Sequence, residues 1–301
     1  MGTGKSALTE TTRHIVTPVV SEDAPRVYDR RSLTYSNTFD SPVKRNIIRT
    51  IEWCTGKVQI VRMIRKFERK GKFHGQAFWR AALDVMEIDL LTPEDQLDNI
   101  PTEGPVVLVA NHPHGMVDGM ILADLIGKRR TDYRILTRSI LTGIDKDAAD
   151  FMIPVPFPHE PDAQKKMVEM RRKTMEHLGK GGLVALFPSG VVASSESMFG
   201  PAVEAEWNVF TAKMIRTSGA KVLPVYFAGA NSRWYQVANQ ISATLRQSLL
   251  LHEIVHSCGK PQKPVVGPVV DQTDVTERIK DPRAFMAWLR EKTLGLAQDT
   301  D

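Results

Sequence analysis

Two short loops hold most of the side chains in this sequence that could make or break bonds. The first reads Asn-His-Pro-His-Gly-Met-Val-Asp, residues 111 to 118, directly after the apolar run Val106 to Ala110. A histidine beside an aspartate is the minimal apparatus for general-base work. The imidazole takes a hydroxyl proton, and the carboxylate fixes the tautomer and stabilises the imidazolium that forms. His112 with Asp118 supplies such a pair, and His114, four residues before Asp118, is a second candidate for the base if the loop is helical. Asn111 stands beside them at the strand end. The same trio, His112, His114 and Asp118, could ligate a hydrolytic metal, but no second cluster in the sequence completes a shell, so no metal is expected. The plainest reading is a turn histidine and a helix-capping aspartate. The second loop, Phe187 to Ser195, reads Phe-Pro-Ser-Gly-Val-Val-Ala-Ser-Ser after another apolar run. Phe187, Pro188, Ser189 and Gly190 at a strand exit offer amides and a hydroxyl to an anion or an oxyanion. Phe187 and Val191 replace the two glycines of a nucleophile elbow, which argues against a covalent serine mechanism.

The elements that must position these loops follow from hydrophobic period. Strand-like runs occur at Val106 to Val109, Arg134 to Leu136, Ile153 to Val155, Leu183 to Phe187, Val222 to Phe227 and Val265 to Val269. Helical stretches lie between them, about Met120 to Gly127, Asp162 to Leu178, Ala205 to Thr217, Ser232 to His256 and Val275 to Leu296. Strand and helix in alternation predict an α/β fold, a mostly parallel sheet flanked by helices, with the chemistry beyond the carboxyl ends of its strands.

A chain of 301 residues with 42% hydrophobic, 25% charged and 7% aromatic residues excludes disordered and fibrous classes. The two cysteines, Cys54 and Cys258, match no paired-ligand spacing and read as reduced thiols. No apolar run reaches spanning length, and the N-terminus has no secretory signal, so the expectation is a protein on the cytoplasmic side. Residues 1 to 42 read as a loosely ordered extension, in which a phosphate-loop lookalike at Gly2 to Ser6 and a myristoylation-like start carry little weight.

The net charge of +5 is concentrated rather than spread. Between Lys44 and Lys72 there are ten Lys or Arg against two Glu, interleaved with Ile47, Ile48, Ile51, Cys54, Val58, Val61, Ile64 and Phe67 at helical spacing. Residues 43 to 85 therefore read as a basic amphipathic segment preceding an α/β domain over 86 to 301. Such a segment either packs on a core with a solvated basic face or lies in a headgroup region, with Trp53 and Phe67 in the apolar boundary and Arg62, Arg65 and Arg69 meeting anionic lipid. Without a recognisable reading module, a nucleic-acid partner is not expected. A non-catalytic surface-binding protein would need this segment alone and would leave the His/Asp loop idle.

Asn-His-Pro with an Asp six residues after the His, then Phe-Pro-Ser-Gly, then Val222 to Gly229 reading Val-Leu-Pro-Val-Tyr-Phe-Ala-Gly, resembles the lysophospholipid acyltransferase family of 1-acylglycerol-3-phosphate acyltransferase-like proteins. The likeness runs over roughly Asp89 to Val270 and is closest to the hemolysin-like branch, whose loop reads Asn-His-Pro-x-Gly-x-x-Asp. It implies a lipid O-acyltransferase in which His112 deprotonates the hydroxyl of a lyso-lipid and Asp118 orients His112. The acyl donor would be acyl-ACP or acyl-CoA, with no bound cofactor. Five residues separate His112 from Asp118 where the main family has four, which leaves room for His114 as base. The family's third motif carries a Glu and an Arg for the acceptor head, where this chain has Ser189 and Val192. A phosphate head prefers a bidentate guanidinium. Arg134 or Arg138 would have to compensate for a lysophosphatidic acid-like acceptor, or the acceptor is a lyso-aminolipid. The resemblance also favours the interfacial reading of the basic segment, as peripheral contact with an anionic bilayer, and allows it to dock an acidic acyl carrier protein.

Overall fold

The computed structural model describes residues 34, 36, 41–138, 146–157 and 160–300. The expected N-terminal extension lies outside these residues, apart from Thr34, Ser36, Ser41 and Pro42.

Helix α1 (Pro42–Glu52) starts at Ser41, whose hydroxyl accepts from the Lys44 N–H, with Pro42 in the first turn where a missing N–H costs nothing. A π-helical turn, Trp53–Lys57, joins it to α2 (Val58–Arg69). A Cβ on Gly56 would lie 2.9 Å from the Leu251 carbonyl oxygen, so this turn needs glycine to let two backbones meet. After α3 (Ala77–Val85) and α4 (Glu94–Leu97) the alternation begins: β1 (Val106–Ala110), α5 (Met116–Gly127), β2 (Tyr133–Arg138), α6 (Lys146–Ala149), β3 (Met152–Val155), α7 (Ala163–Gly179) and β4 (Leu183–Leu186). A small antiparallel pair, β5 (Ser194–Ser195) and β6 (Ala202–Val203), precedes α8 (Val209–Ser218) and β7 (Lys221–Tyr226). The chain ends with α9 (Arg233–Ile241), α10 (Ala243–Ser248), α11 (Leu250–Ser257), β8 (Val265–Val266), α12 (Gln272–Arg278) and α13 (Pro282–Gly295).

The sheet has the order β3-β2-β4-β1-β7-β8, parallel throughout except where β8 runs against β7. Every residue of β1 is 0% exposed, as a central strand covered on both faces requires. Val106, Leu108 and Ala110 pack with Leu83, Ile121 and Leu125 on one face, while Val107 and Val109 pack with Met170, Ile215 and Phe285 on the other. Helices α2 and α3 belong to the first layer through Ile60, Trp79 and Leu83.

The two longest expected helices are divided. The stretch from Ser232 to His256 breaks at Ser242, which turns extended (φ −165°) and caps α10 by accepting the Leu245 N–H. The stretch from Val275 to Leu296 breaks at Asp281 and Pro282, where proline has no N–H to continue the ladder and the aspartate caps α13. Phe67 requires a correction. Its ring is 8% exposed and meets Phe73 and Phe78 with centroids 5.3 Å apart, closing the joint between α2 and α3 rather than facing outward. Trp53 is 57% exposed, and Arg62, Arg65 and Arg69 are exposed. No helix among the described residues is long and apolar enough to cross a membrane.

Candidate active site

The His loop leaves β1 at the carboxyl edge of the sheet and turns into α5 through Gly115, whose φ of +76° suits a residue without a side chain. Asp118 stands in the first turn of α5 and is 0% exposed. Its Oδ2 accepts from the main-chain N–H groups of His114 (2.9 Å) and Gly115 (3.2 Å) and lies 3.0 Å from His112 Nδ1. Its Oδ1 lies 3.0 Å from His114 Nδ1. One carboxylate thus holds both rings and starts the helix. Burial pushes the Asp118 carboxyl up, but hydrogen bonds and charge from His112 and His114 outweigh it and hold the group below the usual aspartate value.

The two rings differ in what their other nitrogen meets. His114 is buried, and a Cβ on Gly229 would stand 2.9 Å from its Nε2, so β7's exit covers that edge. The His112 ring stacks on Phe187 at 3.8 Å between centroids and lines a cavity of about 670 Å³. Its Nε2 has no protein partner among the described residues. Asn111 does not reach the cavity. Its amide donates to the Phe227 carbonyl (2.8 Å) and accepts the Phe227 N–H (2.7 Å), tying the ends of β1 and β7 together.

Glu204, which the sequence reading did not single out, fixes the same loop from the other side. Its Oε2 accepts the His112 N–H at 3.0 Å and its Oε1 accepts the Trp207 indole N–H at 3.0 Å, while the His112 carbonyl accepts the Ala193 N–H at 2.8 Å. Arg290 of α13 binds the Glu204 carbonyl. Glu204 is therefore a positioning residue for the His112 main chain. Replacing it with Ala leaves buried donors unpaired and is expected to lower stability by roughly 1–3 kcal/mol per donor. Turnover should fall more than substrate affinity, and Glu204→Gln should recover part of both. Thermal melts and steady-state kinetics on the two variants check this.

The second loop uses its polar groups largely on itself. The Gly190 N–H donates to the Phe187 carbonyl (2.9 Å), and the Ser189 hydroxyl donates to the Val191 carbonyl (2.9 Å). Phe187, Pro188, Ser189 and Gly190 all line the cavity. Arg138, at the carboxyl end of β2, lines it too. It donates to the Gly190 carbonyl (3.1 Å) and lies 4.9 Å from the Phe157 ring centroid, and burial pulls its pKa below the usual arginine value against the opposing charge of Glu160. Arg134 enters β2 at the opposite end of the strand and does not line the cavity. The lining is mainly apolar, with Trp79, Met120 and Met152 among its side chains. Among the described residues its charged groups are Arg138, Arg171 and Arg246 beside His112, with no Asp or Glu. Among the described residues no group of three or more His, Cys, Asp or Glu is arranged to hold a metal ion.

The protein is 30% identical over 150 residues to the lyso-glycine lipid O-acyltransferase of Phocaeicola vulgatus, covering 48% of this chain and 49% of that one. It is 28% identical over 188 residues to the lyso-glycine lipid O-acyltransferase of Bacteroides thetaiotaomicron, covering 58% and 61%. The chain thus spans about half to three-fifths of the curated relatives' length. Among solved structures, the 1-acyl-sn-glycerophosphate acyltransferase PlsC of Thermotoga maritima matches with a TM-score of 0.48 and 14% identity over 87% of this chain and 84% of that one. The Acyltransferase family model matches residues 50–260, which include the His loop, the Phe-Pro-Ser-Gly loop and the strands that carry them. On that match, which spans well over half of its length, the chain belongs to the acyltransferase family.

Proposed function

We propose that this chain transfers a fatty acyl group from an acyl thioester to the free hydroxyl of a lyso-aminolipid. One observation carries the reading: His112 is oriented at Nδ1 by a buried carboxylate, while its Nε2 meets no partner among the described residues, at a cavity whose described lining is mainly apolar and holds no acidic side chain. Nε2 takes the proton of the acceptor hydroxyl as that oxygen attacks the thioester carbonyl. The carbon–sulfur bond then breaks, and the leaving thiolate recovers the proton from the imidazolium. Asp118 stabilises the cation and keeps the tautomer that presents Nε2. The donor is acyl-ACP or acyl-CoA, and no further cofactor takes part.

The amino-acid head is preferred over phosphate on two grounds. Ser189 and Val192 stand where a phosphate-binding member carries Glu and Arg, and the curated relatives are lyso-glycine lipid O-acyltransferases. A carboxylate head needs one guanidinium, which Arg138 offers at the cavity wall. Incubating the protein with a labelled acyl thioester and both phosphate-headed and amino-acid-headed lyso-lipids tests this by mass spectrometry. Diacylated product should form mainly from the amino-acid-headed acceptor. Product from the phosphate-headed acceptor alone would overturn the head-group reading.

The exposed basic face of α1 and α2, with Trp53, is the surface this reading places on an anionic bilayer. Reversing charge at Arg62, Arg65 and Arg69 together should weaken sedimentation with anionic vesicles by roughly 1 kcal/mol per charge. Unchanged sedimentation would return that face to solvent.

A further inference from the structure

The wall of the cavity formed by α7 and α8 carries groups that the reaction above leaves without a role. Helix α8 starts at Asn208, whose side chain accepts the Phe210 N–H (2.8 Å) and whose own N–H donates to the Pro188 carbonyl (3.0 Å). The start of this helix is thereby tied to the Phe-Pro-Ser-Gly loop and lines the same cavity. Within the same first turn, Thr211 is 1% exposed, lines the cavity, and its hydroxyl has no hydrogen-bond partner among the described residues. The other buried helical threonines behave differently. Thr174 donates to the Met170 carbonyl (2.7 Å) and Thr293 to the Leu289 carbonyl (2.8 Å). A buried hydroxyl left unpaired is costly unless something else pairs with it.

A cation lines the same cavity. Arg171 of α7 lies 5.4 Å from the Phe210 ring centroid, lines the cavity, and makes no ion pair with a carboxylate among the described residues. Its neighbour Arg172 is held by Glu169 and Glu176, each at 2.8 Å. Arg171 and Asn208 are both exposed, so the cavity reaches solvent here. Helices α7 and α8 pack on the face of the sheet opposite to α2 and α3, since Met170, Ala212 and Ile215 belong to one layer and Ile60, Trp79 and Leu83 to the other. A lipid acceptor delivered from the α1–α2 side and a water-soluble donor would thus meet His112 from different directions.

We infer that Arg171, Thr211 and the first turn of α8 at Asn208 form a subsite for the phosphate of the donor's pantetheine arm, the group that coenzyme A and acyl carrier protein share. The guanidinium suits the charge of a phosphate diester, the positive end of the α8 dipole favours it although the Phe210 and Thr211 N–H groups are already paired with Asn208, and the threonine hydroxyl gains an acceptor for its proton. This rests on the acyl-thioester reading and adds where the donor is held.

Steady-state kinetics on the full chain test it with three donors of one acyl chain: acyl-CoA, acyl carrier protein thioester, and acyl-pantetheine, which lacks the phosphate. Arg171→Gln should raise the donor KM roughly tenfold for the phosphate-bearing donors and by less than about twofold for acyl-pantetheine. A rise with one carrier alone names that carrier as the source of the phosphate. Thr211→Val should raise the same KM by about threefold without lowering the melting temperature, because a methyl replaces a hydroxyl that has no partner among the described residues. An equal rise for acyl-pantetheine, or a rise in acceptor KM with donor KM unchanged, overturns the subsite. Absence of turnover with any acyl thioester by the unmodified protein would instead remove the acyltransferase reading on which it stands.

Discussion

His112→Ala is expected to lower kcat by about 10² or more, the usual worth of a positioned general base, while the fold survives. The ring stacks on Phe187 and lines the cavity, and its Nε2 has no hydrogen-bond partner among the described residues. His114→Ala should behave the other way round. Its Nε2 is covered at Gly229, where no acceptor hydroxyl fits, and its ring does not line the cavity. Removing it leaves Asp118 Oδ1 without a donor in a site that is 0% exposed, so stability should fall by roughly 1–3 kcal/mol and kcat by less than tenfold. Thermal melts and single-turnover rates on the two variants separate these roles. A larger rate loss for His114→Ala would make His114 the base.

Asp118→Asn is expected to be the most damaging exchange at the site, because the carboxylate accepts four donors with its two oxygens. An amide offers one oxygen and turns two hydrogens toward N–H groups. The loss should be about 3 kcal/mol or more, the range for removing one partner from a buried charged network. Turnover should fall with it, since nothing would then hold the His112 tautomer. The pH dependence has a definite sign. The folded pKa of Asp118 lies below its unfolded value, so its contribution is fully present above the ordinary aspartate pKa, near 4, and disappears as pH falls through the lowered folded value. Urea unfolding of the parent between about pH 3 and 7 should show that acid limb, and Asp118→Asn should lack it. Identical pH curves for the two proteins would show that the carboxylate is not the ionised centre of the loop.

Much of the site was legible because its parts are close in the chain. His112, His114, Gly115 and Asp118 lie within one strand exit and one helix start, so local spacing alone brings their side chains together. Arg138 and Arg134 share one face of β2, and only their places along the strand separate them, with chemistry at the carboxyl end. Phe67 shows the limit of periodicity. The stripe Val58, Val61, Ile64 and Phe67 marks the covered face only in part, since Phe67 is buried and Ile64 packs on the core while Val58 is 37% exposed and the buried Ile60 lies outside the stripe, and a period does not state by what a face is covered. Here the cover for Phe67 is α3, not lipid. Glu204 was not legible for a different reason: 92 residues separate it from the main-chain N–H it binds, and no local pattern encodes that distance.

By itself the sequence determined the alternation of strands and helices, the parallel sheet, the His/Asp loop at the end of its central strand, and the basic amphipathic segment. These follow from hydrophobic period and from residue types within a few positions of one another. The tertiary structure decided which histidine has a free nitrogen, which arginine reaches the cavity, which acid anchors the His112 main chain, and that Thr211 and Arg171 share one wall. Each of these depends on which surfaces of distant elements meet, and burial, not spacing, sets what a side chain is able to touch.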